Sequence, residues 1–277
     1  MTHGIVPHMA TADVDRLRAE LDHSQERRRK LRKQVTKLKR SLERAEAELV
    51  EASTAPLAET DRDLQYVFIV TYGRSGSTLL QGILSSTPGW LIRGENGDAL
   101  RSLYEFHRNG VEARERRTAP DDRDVTDPWY GMDQFPTAAS LRHVRSLALA
   151  TVLRPEPDTR VVGFKEIRWW HHDDLAEYAE FLRAAFPQAR FIVNTRRLED
   201  VAKSKWWARL DDPMASLAEY EKRILAMHEH LGDDASFHVR YDDYVADPRT
   251  LAPLFEWLGE SYDDTRVRDV LARPHSY

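Results

Sequence analysis

The sequence predicts an α/β fold, in which a parallel sheet is flanked by helices and is preceded by an N-terminal coiled-coil helix. From residue 64 onward, short apolar runs rich in β-branched residues alternate with amphipathic stretches, which is typical of a parallel sheet covered by helices. An apolar three-four spacing runs through residues 14–52 and indicates a coiled coil. A chain of 277 residues, 41% of them hydrophobic, is also long enough for one large core and an appendage.

The coiled-coil helix is predicted for residues 14–52, after a flexible N-terminus at residues 1–13. Two polar residues, Ser24 and Arg28, interrupt its seam, and polar seam positions lower stability while helping to fix the register. We predict a parallel homodimer through this helix. The alternative is a single solvated helix that packs on its own domain. The seam consists of Val14, Leu17, Leu21, Ser24, Arg28, Leu31, Val35, Leu38, Leu42, Ala45, Leu49 and Ala52.

A linker at residues 53–63 is predicted between this helix and a globular domain at residues 64–277, because Pro56 and a polar stretch break the helical pattern. Residues 109–135 are highly charged, contain two prolines and are predicted to be a loop excursion. In chain order we predict the strand YVFIVT, a helix from Thr78, the strand WLIR, a helix from Asp98, a helix around Leu141–Leu153, the strand RVVGFK, a helix from Asp173, the strand RFIVNT, a helix from Leu198, a helix around Met214–Leu231 and the strand FHVRY.

Composition and charge exclude several classes of function. The 41 basic and 46 acidic side chains leave a formal net charge of -5, so nucleic acid is not expected as the main partner. The absence of cysteine excludes disulfides, thiolate catalysis and cysteine metal sites, and no other metal site is predicted. No stretch is apolar enough for a signal peptide or a membrane span, so we expect a cytoplasmic location.

The turn after YVFIVT has the composition of a phosphate-binding site. Gly73 and Gly76 allow the backbone to turn sharply and to approach an anion, which the free amides at the start of the next helix would face. The hydroxyls of Ser75, Ser77 and Thr78 can donate further hydrogen bonds to that anion. A tight structural turn without a ligand is the alternative interpretation of the same residues.

The turn differs from the ATP-binding pattern G-x-x-x-x-G-K-[ST], because its spacing is shorter and Arg74 replaces the lysine. ATP hydrolysis is therefore disfavoured. Instead YGRSGSTLL, residues 72–80, resembles the 5′-phosphosulfate loop of sulfotransferases that use 3′-phosphoadenosine 5′-phosphosulfate (PAPS), in the arginine form of protein-tyrosine and many carbohydrate sulfotransferases. The resemblance implies a P-loop-like fold, PAPS as the cofactor, and a cofactor-binding role for residues 73–78.

Two later segments extend this resemblance. In the family, an arginine after a strand and a serine eight residues later, on the next helix, hold the 3′-phosphate; Arg196 and Ser204 follow RFIVNT at this spacing. The planar fork of arginine suits a phosphate group. HVRYDDYVADP resembles the segment that carries an adenine-contacting tyrosine, here Tyr241. The chain ends in LARPHSY and lacks the basic glycine-rich segment that closes the 3′-phosphate site in many cytosolic members.

The resemblance also implies catalytic residues. Glu95, in GWLIRGEN, matches the setting of the glutamate base in protein-tyrosine sulfotransferases, and Lys165, at the end of VVGFK, resembles the lysine that steadies their transition state. We expect Arg74 and Lys165 to stabilise the phosphosulfate while Glu95 acts as base. The alternative role for Glu95 is to cap the helix near Asp98. The rival bases are Glu166, His171 and His172.

Three functions therefore follow from the sequence, in order of preference. The first is a sulfotransferase that moves a sulfuryl group from PAPS to a hydroxyl of a carbohydrate, lipid or small-molecule acceptor. The second is a P-loop kinase-like phosphotransferase, which would use ATP and magnesium. The third is an inactive coiled-coil scaffold, against which the presence of all the candidate catalytic side chains argues.

Overall fold

The computed structural model describes most of the globular part of the chain and a stretch of the N-terminal helix. By internal contacts the chain divides into two units, Met1–Pro56 and Leu57–Tyr277. The predicted flexible N-terminus, most of the predicted seam and nearly all of the predicted linker lie outside the described residues. No helix in the described part is long and apolar enough to cross a membrane. The described residues are 21, 23, 25–40, 42, 63–116, 125–204 and 207–273, without the side chain of Trp170.

The N-terminal helix is helical throughout residues 25–40, and every one of these residues is exposed. Five apolar seam side chains of the described part are exposed by 50% to 69%. The helical conformation agrees with the sequence prediction, whereas self-association through the seam stays a prediction. These five side chains are Leu21, Leu31, Val35, Leu38 and Leu42.

The second unit contains a five-stranded sheet whose strands all run parallel, in the order β2-β3-β1-β4-β5. This confirms the predicted α/β fold. The central strands are apolar on both faces because helices cover both, as parallel sheets require. The strands are β1 at Gln65–Val70, β2 at Trp90–Arg93, β3 at Val161–Glu166, β4 at Arg190–Thr195 and β5 at Ser236–Arg240.

Nine α-helices lie in the described part of the second unit and pack on the two faces of the sheet. Helices α2 to α6 contribute to the larger core on one face, and α1, α7, α8 and α9 contribute to the core on the other. They are α1 at Ser77–Ser85, α2 at Ala99–Glu115, α3 at Thr137–Ala148, α4 at Leu175–Ala185, α5 at Leu198–Ala202, α6 at Pro213–Leu231, α7 at Tyr241–Ala246, α8 at Ala252–Trp257 and α9 at Asp264–Leu271. Short 3-10 turns occur at Met132–Gln134, Trp169–His171, Trp207–Arg209 and Pro248–Leu251, and a π-helical turn at Leu149–Leu153 follows α3.

Strand β1 supplies both cores because its successive side chains point to opposite faces. Phe68 packs in the larger core and Ile69 in the other. Its neighbour β3 approaches closely at Gly163, where an added Cβ would lie 1.6 Å from the carbonyl oxygen of Val67. Only glycine fits there.

The topology opens a crevice at the carboxyl edge of the sheet, between β1 and β4. These strands are neighbours, but β1 leads into α1 on one face whereas β4 leads into α5 and α6 on the other. Val70, the last residue of β1, pairs with Val193, and β4 continues for two more residues to Thr195; β3 ends level with β1, where Glu166 pairs with Val70. Such switch points are where open α/β sheets bind ligands.

The loop excursion predicted for residues 109–135 is wrong at its start, because α2 continues to Glu115. Its charged residues pair at helical spacing, with Arg108 between Glu105 and Glu112, and Glu112 bonded to Arg116 at 2.9 Å. Such pairs stabilise a helix with few apolar residues. Residues 117–124 lie outside the described part.

Candidate active site

The turn between β1 and α1 adopts a conformation that few side chains tolerate. Arg74 and Gly76 both have left-handed backbones, with φ of 72° and 80°. At Gly76 an added Cβ would lie 2.0 Å from Cδ2 of Tyr241, so this position requires glycine. Arg74 has a Cβ, and a left-handed conformation costs such a residue about 1–2 kcal/mol. Strain of this kind is typical of ligand-binding turns.

Buried hydrogen bonds from β4 and α7 hold the turn in place. The Thr71 hydroxyl lies 2.6 Å from the Ser75 hydroxyl and donates to the carbonyl of Asn194 at 2.7 Å. The Asn194 amide donates to the Ser75 carbonyl at 3.0 Å and accepts from Tyr244 at 3.0 Å. Ser75 is fully buried. Its hydroxyl was predicted to face an anion and is instead used inside the protein.

The N-terminus of α1 remains open toward the crevice. No side chain among the described residues caps it, and its first turn contains no acidic residue. The amides of Leu79 and Leu80 bond back to Gly76, while Ser77 is buried and Thr78 is exposed at the start of the helix. Uncapped amides and the helix dipole together favour an anion at this end. The turn predicted to bind the cofactor therefore has backbone features that favour an anion.

Arg196 lies against this turn. Its Nη1 donates to the carbonyl of Arg74 at 3.2 Å, and its guanidinium carbon lies 4.4 Å from the ring centre of Tyr241. The same tyrosine ring packs on Gly76. Arg196, predicted for the 3′-phosphate, and Tyr241, predicted for adenine, thus both contact the turn predicted for the 5′-phosphosulfate.

Ser204 does not lie on a helix as predicted, because α5 ends at Ala202 after five residues. Its amide closes the helix by donating to Val201 at 3.0 Å. The Oγ of Ser204 and the Nε of Arg196 are buried and have no hydrogen-bond partner in the described part of the chain. Buried polar groups without a protein partner are rare and are usually completed by a water, an ion or a ligand.

Lys165 and Glu95, both predicted to be catalytic, form an ion pair. The Lys165 Nζ lies 2.6 Å from the Glu95 Oε1, with 5% of the lysine and 35% of the glutamate side chain exposed. Arg168 lies 3.6 Å from the other carboxylate oxygen. A lysine this deeply buried requires such a partner. Because β3 pairs Lys165 with Ile69, the pair lies beside the end of β1.

Glu166, a rival base, is instead a structural carboxylate. Its Oε2 accepts from the amides of Asn96 at 3.2 Å and Asp98 at 3.0 Å. Its Oε1 accepts from the amides of Ile167 and Arg168 and from the Arg168 guanidinium, at 2.7, 3.2 and 2.8 Å. Burial opposes ionisation, but these hydrogen bonds and the charge of Arg168 hold the pKa of Glu166 below its usual value. An ionised carboxylate with five donors is a poor proton acceptor.

Glu95 does not cap α2. The N-cap residue is Asp98, which forms no side-chain cap hydrogen bond within the described part of the chain, and the side-chain oxygen of Asn96 accepts from the Ala99 amide at 2.9 Å. Asp98 takes the position before the helix with a left-handed φ of 62°. The Glu95 carboxylate therefore takes no part in capping and pairs with Lys165 instead.

The two histidines also differ from one another. His172 lies 2.5 Å from the Asp98 carboxylate through its Nε2, and both side chains are largely buried. His171 is exposed. Partial burial and the neighbouring His172 ring lower the pKa of His171. Sequence reasoning named both histidines as rivals but gave no signal for the pairing with Asp98.

Comparison with solved structures gave matches to sulfotransferases. The sulfotransferase domain of the Synechococcus PCC 7002 olefin synthase is 21% identical, with 80% of this chain and 81% of that chain covered and a TM-score of 0.47. Sulfotransferase STF9 from Mycobacterium avium is 18% identical, with 83% and 72% covered and a TM-score of 0.44. Mouse sulfotransferase SULT7A1, solved in complex with PAP, is 13% identical, with 76% and 63% covered and a TM-score of 0.41.

Comparison with curated proteins gave no match. The family comparison did: the model described as "Sulfotransferase family" matches residues 65–264, which is more than half of the chain. The matched range begins with β1 and includes the turn, the Lys165–Glu95 pair and Arg196. The chain belongs to the sulfotransferase family.

Proposed function

We propose that this sulfotransferase takes its sulfuryl group from PAPS and transfers it to a hydroxyl of a carbohydrate, lipid or other small molecule. The observation that supports this donor is that two buried atoms, Arg196 Nε and Ser204 Oγ, have no hydrogen-bond partner among the described residues, and both residues follow β4. A second anion site of this kind, beside the open start of α1, suits a nucleotide with phosphates at two positions.

The turn at residues 73–78 and Arg74 would hold the 5′-phosphosulfate, and Arg196 and Ser204 the 3′-phosphate. Tyr241 is the proposed adenine contact, and its ring also supports the Arg196 guanidinium at 4.4 Å. When bound, PAPS supplies an activated sulfuryl group on a phosphate leaving group. The chain's own contribution is to orient that group and to provide positive charge beside it.

Glu95 is the proposed base. Its carboxylate accepts the proton of the acceptor hydroxyl as the hydroxyl oxygen forms its bond to sulfur and the bond from sulfur to the phosphate oxygen breaks. Lys165 donates one of its three N–H groups to Glu95 at 2.6 Å, and the other two could donate to oxygens of PAPS. Arg74 and Lys165 would take up the charge that develops on the leaving phosphate.

Thermal unfolding with ligands tests the donor. Adenosine 3′,5′-bisphosphate at about 100 times its dissociation constant would stabilise the fold by about 2.7 kcal/mol. We expect this shift without added metal, and a smaller one with ATP and magnesium. The opposite order would overturn the donor assignment and favour the kinase-like alternative.

Release of the bisphosphate from PAPS, measured against a panel of hydroxylated acceptors, tests the reaction and identifies the acceptor. We expect Glu95→Gln to abolish turnover while bisphosphate binding is retained. Glu256→Gln is the matched control, because Glu256 is exposed on α8 and no hydrogen bond of its side chain occurs in the described part. Undiminished turnover in Glu95→Gln would remove Glu95 from the mechanism.

We also propose that the N-terminal helices of two copies associate. The exposed Leu31, Val35 and Leu38 follow the three-four spacing that a coiled coil buries. Light scattering of the full chain should give a dimer, and the double change Leu31→Lys and Leu38→Lys should give a monomer. A monomer in the unchanged protein would refute the association. The cytoplasmic location stays a prediction that cell fractionation can test.

A further inference from the structure

A buried tyrosine connects the two proposed phosphate sites. Tyr72 is fully buried at the start of the turn, and its hydroxyl lies 2.6 Å from the Glu221 carboxylate of α6. The same hydroxyl lies 3.0 Å from the Arg196 amide and 3.0 Å from the Arg196 carbonyl. It therefore spans from the turn after β1 to the turn after β4.

The phenol has one proton, and the shorter contact to a charged acceptor takes it. Tyr72 then donates to Glu221 and accepts from the Arg196 amide, so a continuous chain of hydrogen bonds runs from Arg196 to Glu221. Burial, followed by the hydrogen bond to Glu221, raises the pKa of Tyr72, so the hydroxyl keeps its proton. A fully satisfied buried chain of this kind gives a single rigid arrangement.

The neighbouring amide is held in the same manner. Arg197 donates its backbone N–H to the Asp242 carboxylate at 2.7 Å. Both amides at the head of α5 thus bond to side chains of other elements. Among the described residues, the Arg196 guanidinium contacts the Arg74 carbonyl and the Tyr241 ring and forms no ion pair with a carboxylate. The backbone of Arg196 is fixed so that its guanidinium can serve another group.

We propose that Tyr72 and Glu221 are a positioning pair, which sets the place of Arg196 relative to the turn and thereby selects nucleotides that carry a 3′-phosphate. The inference rests on the proposed function. Without the Tyr72 hydroxyl, the Arg196 amide loses its buried acceptor and the turn before α5 relaxes. The proposed 5′-phosphosulfate site should keep its conformation, because the hydrogen bonds among Thr71, Ser75 and Asn194 do not involve the Tyr72 hydroxyl.

The test compares two ligands that differ by one phosphate, adenosine 3′,5′-bisphosphate and adenosine 5′-phosphate, by calorimetry on the full chain. We expect Tyr72→Phe to lower the affinity for the bisphosphate about tenfold, which corresponds to ~1.4 kcal/mol. The affinity for the monophosphate should stay within about twofold of that of the unchanged protein. Tyr104→Phe is the matched control. Tyr104 is also buried and donates to a carboxylate, that of Asp174, and its change should leave the ratio of the two affinities unaltered.

If Tyr72→Phe is unstable, substitutions of Glu221 test the same positioning role. Glu221→Gln retains an oxygen that accepts from Tyr72 and should preserve most of the discrimination, whereas Glu221→Ala should reduce it as Tyr72→Phe does. Equal weakening of both ligands in Tyr72→Phe, or no change in either, would overturn the positioning role. If the unchanged protein itself fails to distinguish the two ligands, the proposed 3′-phosphate site is wrong, and the inference fails with it.

Discussion

Replacement of Glu166 by glutamine separates a structural carboxylate from a catalytic one. The amide has one oxygen where the carboxylate has two, so an NH2 group must face one set of donors. Keeping the oxygen toward Ile167 and Arg168 preserves three hydrogen bonds. The NH2 group then faces the amides of Asn96 and Asp98, which lose their shared acceptor.

Each buried donor without an acceptor costs about 1–3 kcal/mol, so the two together cost about 2–6 kcal/mol. Water reaches part of this loop, so we expect a value near 2–3 kcal/mol. That is a large part of the ~5–15 kcal/mol that stabilises a typical domain. The loop between β2 and α2 also carries Glu95, so its loosening should lower turnover as a secondary effect.

The assay is urea unfolding of the unchanged protein, Glu166→Gln and the control Glu256→Gln, followed at neutral pH. The free energy of unfolding should fall by about 2–3 kcal/mol in Glu166→Gln. In Glu256→Gln it should stay within about 0.5 kcal/mol of the value for the unchanged protein. A Glu166→Gln protein that is as stable as the unchanged one, yet inactive, would refute the structural role and make Glu166 the base.

The pH dependence gives a second check. The pKa of Glu166 is lower in the folded protein than in the unfolded chain, so its stabilising effect is present above the unfolded value of about 4.3. The effect is lost as the pH falls through the lower folded value. The difference in stability between the unchanged protein and Glu166→Gln should therefore be constant near neutral pH and shrink below about pH 4.

Three glycine substitutions should have different outcomes. Gly163→Ala places a Cβ 1.6 Å from the Val67 carbonyl oxygen and should abolish folding, seen as loss of soluble protein with native circular dichroism. Gly82→Ala lies inside α1 with an ordinary contact at 3.4 Å and should stabilise by about 0.5–1 kcal/mol, measured by thermal unfolding; a clear loss would contradict this. In Gly76→Ala the added Cβ would lie 2.0 Å from the Tyr241 ring, so the affinity for adenosine 3′,5′-bisphosphate in calorimetry should fall more than tenfold. An unchanged affinity would show that the turn adapts to the larger residue.

The strands and most helices could be predicted from the sequence because their signals are local. YVFIVT and RFIVNT became β1 and β4, and the helix around Met214–Leu231 became α6. The continuation of α2 was missed because its charged residues read as a loop, although they pair at helical spacing. The order of the strands is also not local, and it followed only from the structure.

Site residues divide in the same way. The turn at residues 73–78 carries its signal within a few residues, and the proposed roles of Lys165 and Glu95 followed from the resemblance. The ion pair between these two side chains was not predicted and appears only in the structure. The role of Glu166 depends on amides about 70 residues earlier, so no local pattern could separate it from a base. The connection from Tyr72 to Glu221 spans 149 residues and gives no signal in either segment.

Strand β1 belongs to both cores, and the phosphate turn is its direct continuation. A one-residue insertion in β1 would either exchange Phe68 and Ile69 between the two faces or, if these residues kept their places, reverse the direction in which the turn leaves the sheet. The number of residues between the start of β1 and Gly73 is therefore as constrained as their identity. Insertions in this strand should abolish folding and nucleotide binding together. Substitutions within the turn can instead weaken nucleotide binding while the protein still folds.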